Sequence, residues 1–182
     1  LTRFGAEDSL GTAVGLSLIR ELGPVLTGLL VTGRAGSAIT AEIGARRTSQ
    51  QLDGLRMMAI DPIHFIVMPR ATALAFVMPL LSAIFVVLGI LGAYLIGVEL
   101  LGLDSGSYLA GLETAVEFRA DVLQSLVKSK EFGILLRLIA TWRGYACEPL
   151  SAGVSLATSS TVVSASICML LADYMLPALW SV

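Results

Sequence analysis

Charge is scarce in these 182 residues, and so are the side chains that usually carry chemistry. Only 14% are Asp, Glu, Lys or Arg, against about 25% in an ordinary soluble domain. There is a single histidine, His64, and neither lysine follows a Gly-rich stretch. Multi-histidine metal sites are thereby excluded, as is a GxxxxGK[ST] loop that would cradle ATP phosphates. A Ser-His-Asp hydrolase would depend on His64, yet no GxSxG elbow is present. Two cysteines, Cys147 and Cys168, indicate no disulfide framework. The net charge of −2 leaves no basic patch to neutralise phosphates, which argues against nucleic acid as a partner. No internal repeat and no signal peptide are read.

What is abundant is apolar surface. Apolar residues make up 55% of the chain, and the mean hydropathy is +0.83. A soluble domain of this size cannot hide that much and still coat itself with polar groups. The expectation is an all-α, polytopic membrane protein forming one domain. Ala71 to Val98 carries no charge and exceeds the roughly 20 residues needed to cross a bilayer. Four spans are expected, at about 9–45, 66–98, 120–143 and 153–180, two of them bearing charges. Gly23-Pro24 is the natural kink in the first. Thr32, Gly36, Thr40 and Gly44 repeat small residues every four positions, as do Gly89, Ala93 and Gly97, and Gly153, Ala157, Thr161 and Ala165. Such ladders let helix backbones approach closely in lipid.

Charge bias orients the spans. The segment from Arg46 to Arg70 holds the arginines Arg46, Arg47, Arg56 and Arg70, whereas Glu99 to Asp121 is dominated by acids. The positive-inside rule places the first in the cytoplasm and the second outside. The outer segment, 104–118, has Leu109, Leu112 and Val116 at a spacing suited to a short surface helix. On the inner side, 47–60 reads as an amphipathic helix, with Leu52, Leu55, Met58 and Ala59 on one face, Thr48 or Ser49 as its cap and Asp61-Pro62 at its end. It either lies on the membrane or docks into a groove on a cytoplasmic partner, with Leu52, Leu55, Met57 and Met58 as anchors.

Charges inside apolar helices are costly and usually face a bundle interior or an aqueous cavity. Arg20 and Glu21 sit about three turns into the first span, and Lys128 lies at a comparable depth in the third. They either line a path for an amphipathic substrate or lock helices together as ion pairs, and the two readings are compatible.

The string ELGPVLTGLLVTGRAGSAITAEIG, followed by QQLDGLRMMAIDP and PRATA, closely resembles the MlaE/YrbE permease family. The match continues through Asp104 to Gly106, Lys128-Ser129, Gly144-Tyr145 and Ser151 to Thr158. The resemblance implies the permease subunit of an ABC transporter that moves phospholipids between the inner and outer membranes of Gram-negative bacteria and so maintains outer-membrane lipid asymmetry. It implies a homodimer in the inner membrane with a lipid cavity at the dimer interface. The implied partners are a cytoplasmic ATPase (MlaF-like), a STAS-domain protein (MlaB-like) and a periplasmic hexamer of MCE-domain subunits (MlaD-like). No cofactor and no enzymatic activity are expected in this chain itself, because the ATPase binds ATP. The family's polypeptide is longer at the N-terminus by an interfacial helix and one span, so the true start is expected upstream of Leu1. By the same resemblance Arg20, Glu21, Lys128 and Phe4 belong to the lipid cavity, and Gln51, Leu52, Leu55, Met57, Met58 and Asp61 to the coupling helix that the ATPase grips. Gln50 departs from the family, which commonly has Glu there. The reading weighed against transport is a membrane scaffold that anchors a complex without moving a substrate.

Overall fold

A computed structural model describes residues 9–100, 102 and 104–180, and every element among them is helical. Phe4 lies outside the described residues. Helix α1 (9–48) runs without a break through two wide turns, Leu18–Leu22 and Thr32–Gly36. Helix α2 (Gln51–Met57) is short, α3 spans 63–100, α4 is Ser105–Ala115, α5 is Phe118–Ala146 and α6 is Ser151–Trp180. Three stretches are long and apolar enough to cross a membrane: Thr12–Thr48, Ile63–Glu99 and Ser151–Met175. Helix α5 matches them in length, but its charges set it apart.

The distribution of side chains inverts that of a soluble domain. Large apolar residues such as Leu30, Phe76, Leu80, Leu88 and Leu156 point outward, while Thr27, Thr32, Thr40, Ser82, Asp121, Lys128, Ser129 and Thr161 are buried. In lipid an outward Leu costs nothing, and a polar group gains by turning to a partner on a neighbouring helix. Helix α5 packs against α1, α3 and α6. Their shared core is Leu74 and Met78 of α3, Phe132 and Leu136 of α5, and Ala165 and Met169 of α6, flanked by Val25, Val31, Ala35 and Ile39 of α1.

Two of the small-residue ladders meet. Thr40 of α1 and Thr161 of α6 are fully buried, with hydroxyls 3.1 Å apart, and the Thr40 hydroxyl is 3.1 Å from the Ala140 carbonyl of α5. These ladders therefore pack within one chain. The kink expected at Gly23-Pro24 takes a particular form. The Gly23 N–H donates to the Leu18 carbonyl five residues back. This wide turn absorbs the hydrogen bond that Pro24 cannot make without breaking the helix.

At the acidic end of the bundle, Asp104 caps α4 by accepting the Ser107 N–H at 2.9 Å. Thr12 of α1 donates to the Gly111 carbonyl at 3.0 Å, which ties α4 across the top of α1. Tyr108 is buried and meets Tyr94 edge to face, with centroids 5.7 Å apart. Burial raises its phenol above the ordinary value.

At the basic end, α2 differs from the expectation at its start. Thr48 and Ser49 finish α1, their hydroxyls donating back to the Gly44 and Ala45 carbonyls at 3.0 and 2.9 Å. Gln50 then turns the chain with a positive φ of 57°, and α2 begins at Gln51 without a side-chain cap. Hydroxyls so close to the preceding carbonyls serve the helix behind them rather than the one ahead.

Candidate functional site

Five charged side chains of the long helices meet at one place, contributed by three helices. The wide turn at Leu18–Leu22 precedes Pro24 and presents Arg20 and Glu21 to α5. Arg20 pairs with Asp121, its Nε and Nη2 both 2.7 Å from Oδ1. The other Asp121 oxygen accepts the Glu117 N–H at 3.0 Å, so both oxygens of this buried carboxylate are satisfied. Lys128 lies two turns further along the same face of α5. Its ammonium donates to Glu21 Oε2 at 2.9 Å and forms a second ion pair with Asp173 Oδ1 of α6 at 2.5 Å. The Arg20 carbonyl lies 3.4 Å from the same ammonium.

Two cations and three carboxylates thus share the site. Burial within it is uneven and decides what it can do. The side chains of Lys128 and Asp121 are 6% and 2% exposed, whereas those of Arg20 and Glu21 are 47% and 53% exposed. The buried members anchor the cluster, and the half-exposed ones offer a guanidinium and a carboxylate side by side. Such a pair suits a zwitterionic group or one bearing a single negative charge. Sequence spacing had singled out Arg20, Glu21 and Lys128, and the structure brings them together. It adds Asp121 and Asp173, which sequence reading passed over. Asp173 is the single acid between Pro149 and the end of the chain, and that isolation was the available signal.

A second polar centre lies at the basic end. Arg47 donates to the Tyr145 carbonyl and Arg56 to the Tyr145 hydroxyl, and both guanidinium groups sit about 6 Å from that ring, at 6.0 and 5.9 Å. Tyr145 therefore fastens α2 to the end of α5. Glu42 adds a second tie, accepting from Arg46 at 3.0 Å and from Arg70 Nε of α3 at 2.9 Å. Leu52, expected on the docking face, is instead 4% exposed. It faces inward on a small cavity shared with Arg47, Arg56 and Tyr145, because α2 needs one apolar anchor of its own to stay on the bundle. Met57 and Met58 are the most exposed large apolar residues of this segment, at 89% and 70%. Gln51 and Asp61 are exposed and Leu55 is half-buried. Asp61 accepts the Ile63 N–H at 3.0 Å and so starts α3.

The sequence that builds this bundle is similar to that of known proteins. The family described as permease MlaE matches residues 1–179. The intermembrane phospholipid transport system permease protein MlaE of Haemophilus influenzae is 46% identical over 98% of this chain and 69% of its own length. A probable ABC transporter permease protein of Rickettsia felis is 42% identical over the same shares of both chains. The chain belongs to the MlaE permease family. A more distant relative is the chloroplastic protein trigalactosyldiacylglycerol 1 of Arabidopsis thaliana, 30% identical over 96% of this chain and 50% of its own.

Within this MlaE permease chain the two polar centres occupy opposite ends of one unbroken helix. Asp121 and Lys128 stand in the first half of α5, and Gly144 and Tyr145 in its last turn.

Proposed function

We propose that this chain is the membrane subunit of an ABC transporter that moves phospholipid between membranes, with ATP hydrolysed in a separate cytoplasmic subunit. The ion-pair cluster carries the reading. It is a half-open polar site inside an apolar bundle, matched to a headgroup, while the surrounding helices supply a wall for the tails. Membership of the MlaE permease family supports the same reading. A pure scaffold has no use for charges held in lipid at such cost.

The finer assignments follow. Helix α5 is the fourth span, with Asp121 and Lys128 turned toward α1 and α6 rather than to lipid. The basic end lies in the cytoplasm and the acidic end in the periplasm, as the positive-inside rule directs. Two copies enclose the lipid site in the bacterial inner membrane, with Arg20 and Glu21 turned toward it. The cytoplasmic partners are an ATPase and a STAS-domain protein, and the periplasmic one is an MCE-domain hexamer. In this arrangement α2 is the coupling helix, with Met57 and Met58 as the apolar contacts and Tyr145 passing its motion into α5.

The direct test reconstitutes the full-length permease with its ATPase in donor vesicles containing a fluorescent phospholipid. ATP-dependent transfer to acceptor particles is the expected result. Assembly of the complex with no ATP-dependent transfer would return the scaffold reading.

The docking surface can be tested separately. Met57→Asp is expected to release the ATPase from the membrane fraction while the permease still inserts, since the side chain makes no contribution to its own fold. Leu52→Asp is expected to lower the amount of folded permease instead, because burying a Leu-sized side chain is worth roughly 1.5–3 kcal/mol. Normal co-purification of the ATPase with Met57→Asp would move the docking surface elsewhere.

Orientation is tested with Ser107→Cys, at a half-buried position in the first turn of α4. A membrane-impermeant thiol reagent is expected to label it in cells whose outer membrane alone is permeabilised. Labelling only after inner-membrane lysis would invert the topology.

A further inference from the structure

Arg143 lies in the last turn of α5, remote from the ion-pair cluster, and takes part in none of the contacts described so far. Its Nη1 donates to the Ser160 hydroxyl and its Nη2 to the Ser164 hydroxyl, both at 2.9 Å. Those two serines are one turn apart on α6. Their own protons are already committed to that helix, Ser160 donating to the Ala157 carbonyl at 3.0 Å and Ser164 to the Ser160 carbonyl at 2.7 Å. The serine oxygens thus act purely as acceptors. They fix the guanidinium in place without neutralising it, and no carboxylate among the described residues lies within ion-pair distance of it. A guanidinium has five N–H donors, and the serines engage two groups of them.

The position of this charge is unusual. Ser160 is nine residues into α6, roughly 13 Å along a span at about 1.5 Å per residue. The guanidinium thus reaches from the end of α5 to the level of Ser160 and Ser164, inside the apolar span of α6, where an unpaired cation draws polar groups toward itself. It opens on a groove of about 940 Å³ between α5 and α6. Leu138, Ile139, Trp142 and Leu156 form its apolar wall, and Leu138, Trp142 and Leu156 are exposed. Glu148 is the acid lining the groove, near the start of α6.

We propose that Arg143 and this groove bind one phospholipid of the leaflet at the basic end, with the phosphate on the guanidinium and an acyl chain along Leu138, Trp142 and Leu156. Charge and depth select this occupant. Phosphate is the anion that the bilayer itself supplies at an interface, and Arg accepts it with two-pronged geometry. A second copy docked here by two-fold symmetry would bring the same patch to itself, and that competing occupant is separated from lipid by the test below. The site is separate from the central cluster, since Arg143 is roughly 22 Å along α5 from Lys128 at about 1.5 Å per residue. It requires α6 to be a membrane span but does not require the bound lipid to be cargo.

Native mass spectrometry of the full-length permease, titrated with dioleoylphosphatidylglycerol in the absence of ATP and partners, tests the site. One tightly retained lipid per chain is expected to weaken by about tenfold or more in Arg143→Gln, the worth of a charged hydrogen-bonded contact. Leu156→Trp leaves Arg143 in place but fills the groove, and is expected to weaken the same lipid. Glycerol phosphate, which has the anion without the chain, should not displace it. Retention unchanged in both variants, or displacement by glycerol phosphate, would overturn the proposal. So would a disulfide between two copies of Leu156→Cys in native membranes, since the groove would then be covered by a second subunit.

Discussion

Lys128→Ala is expected to abolish ATP-dependent lipid transfer and to lower the thermal stability of the permease in the same stroke. The ammonium is almost fully enclosed and serves both Glu21 and Asp173. Removing it leaves two carboxylates facing each other without a cation, and breaking a buried ionic set in this way typically costs about 3–5 kcal/mol. The half-exposed Glu21 relaxes outward, so Asp173, with 22% of its side chain exposed, carries most of the penalty. Adding Asp173→Asn to Lys128→Ala is therefore expected to restore most of the stability, read by thermal unfolding in detergent, but not the transfer of lipid. A double variant that moves lipid at the wild-type rate would make the cluster a helix lock and nothing more. Wild-type stability in the single variant would show that Lys128 has no buried partners to lose.

Gly144→Leu is expected to prevent α5 from seating on α1. A Cβ at this position would stand 2.9 Å from the Thr40 carbonyl oxygen, 3.0 Å from Ile43 Cβ and 3.2 Å from Thr40 Cα. Two of those three atoms are backbone, so no side-chain rotation relieves the overlap. Overpacking ordinarily costs about 1–3 kcal/mol when side chains can give, and more when they cannot. The neighbouring hydroxyl of Thr40 and the grip on Tyr145 would be lost with it, which joins a packing defect to a coupling defect. Little folded protein should be recovered by size-exclusion chromatography. Gly33→Ala and Gly54→Ala serve as matched controls, because a Cβ at either position meets nothing within 4 Å. They should be neutral or stabilise their helices by about 0.5–1 kcal/mol. Recovery of Gly144→Leu at the level of these controls would contradict the close approach of the two helices.

Both predictions draw on the same design. Helix α5 has too many charges to stand alone in lipid, and each of its key contacts answers that difficulty. Asp121 finds Arg20, Lys128 finds Glu21 and Asp173, and Arg143 finds two serines. The three more apolar spans around it supply those partners from a few positions and otherwise present bulky residues outward. Helix α5 joins the ion-pair cluster to the surface where α2 lies.

The amino-acid sequence alone determined the helical membrane class, because scarce charge and long apolar runs are properties of composition and need no partner to be read. It also marked Arg20, Glu21 and Lys128, since the cost of a charge in an apolar helix depends on its immediate neighbours along the chain. Family membership was legible for the same reason, as continuous strings of residues carry it. The partners of those charges were decided only by tertiary structure. Asp121 and Asp173 lie about a hundred residues or more from Arg20 and Glu21, and whether they meet depends on the depth and rotation of helices that no local pattern encodes. The fate of Leu52 has the same origin. Its helical spacing shows an apolar face on α2, but only the position of Tyr145 and its two arginines decides which apolar residues that face turns inward and which, like Met57, it leaves for a partner.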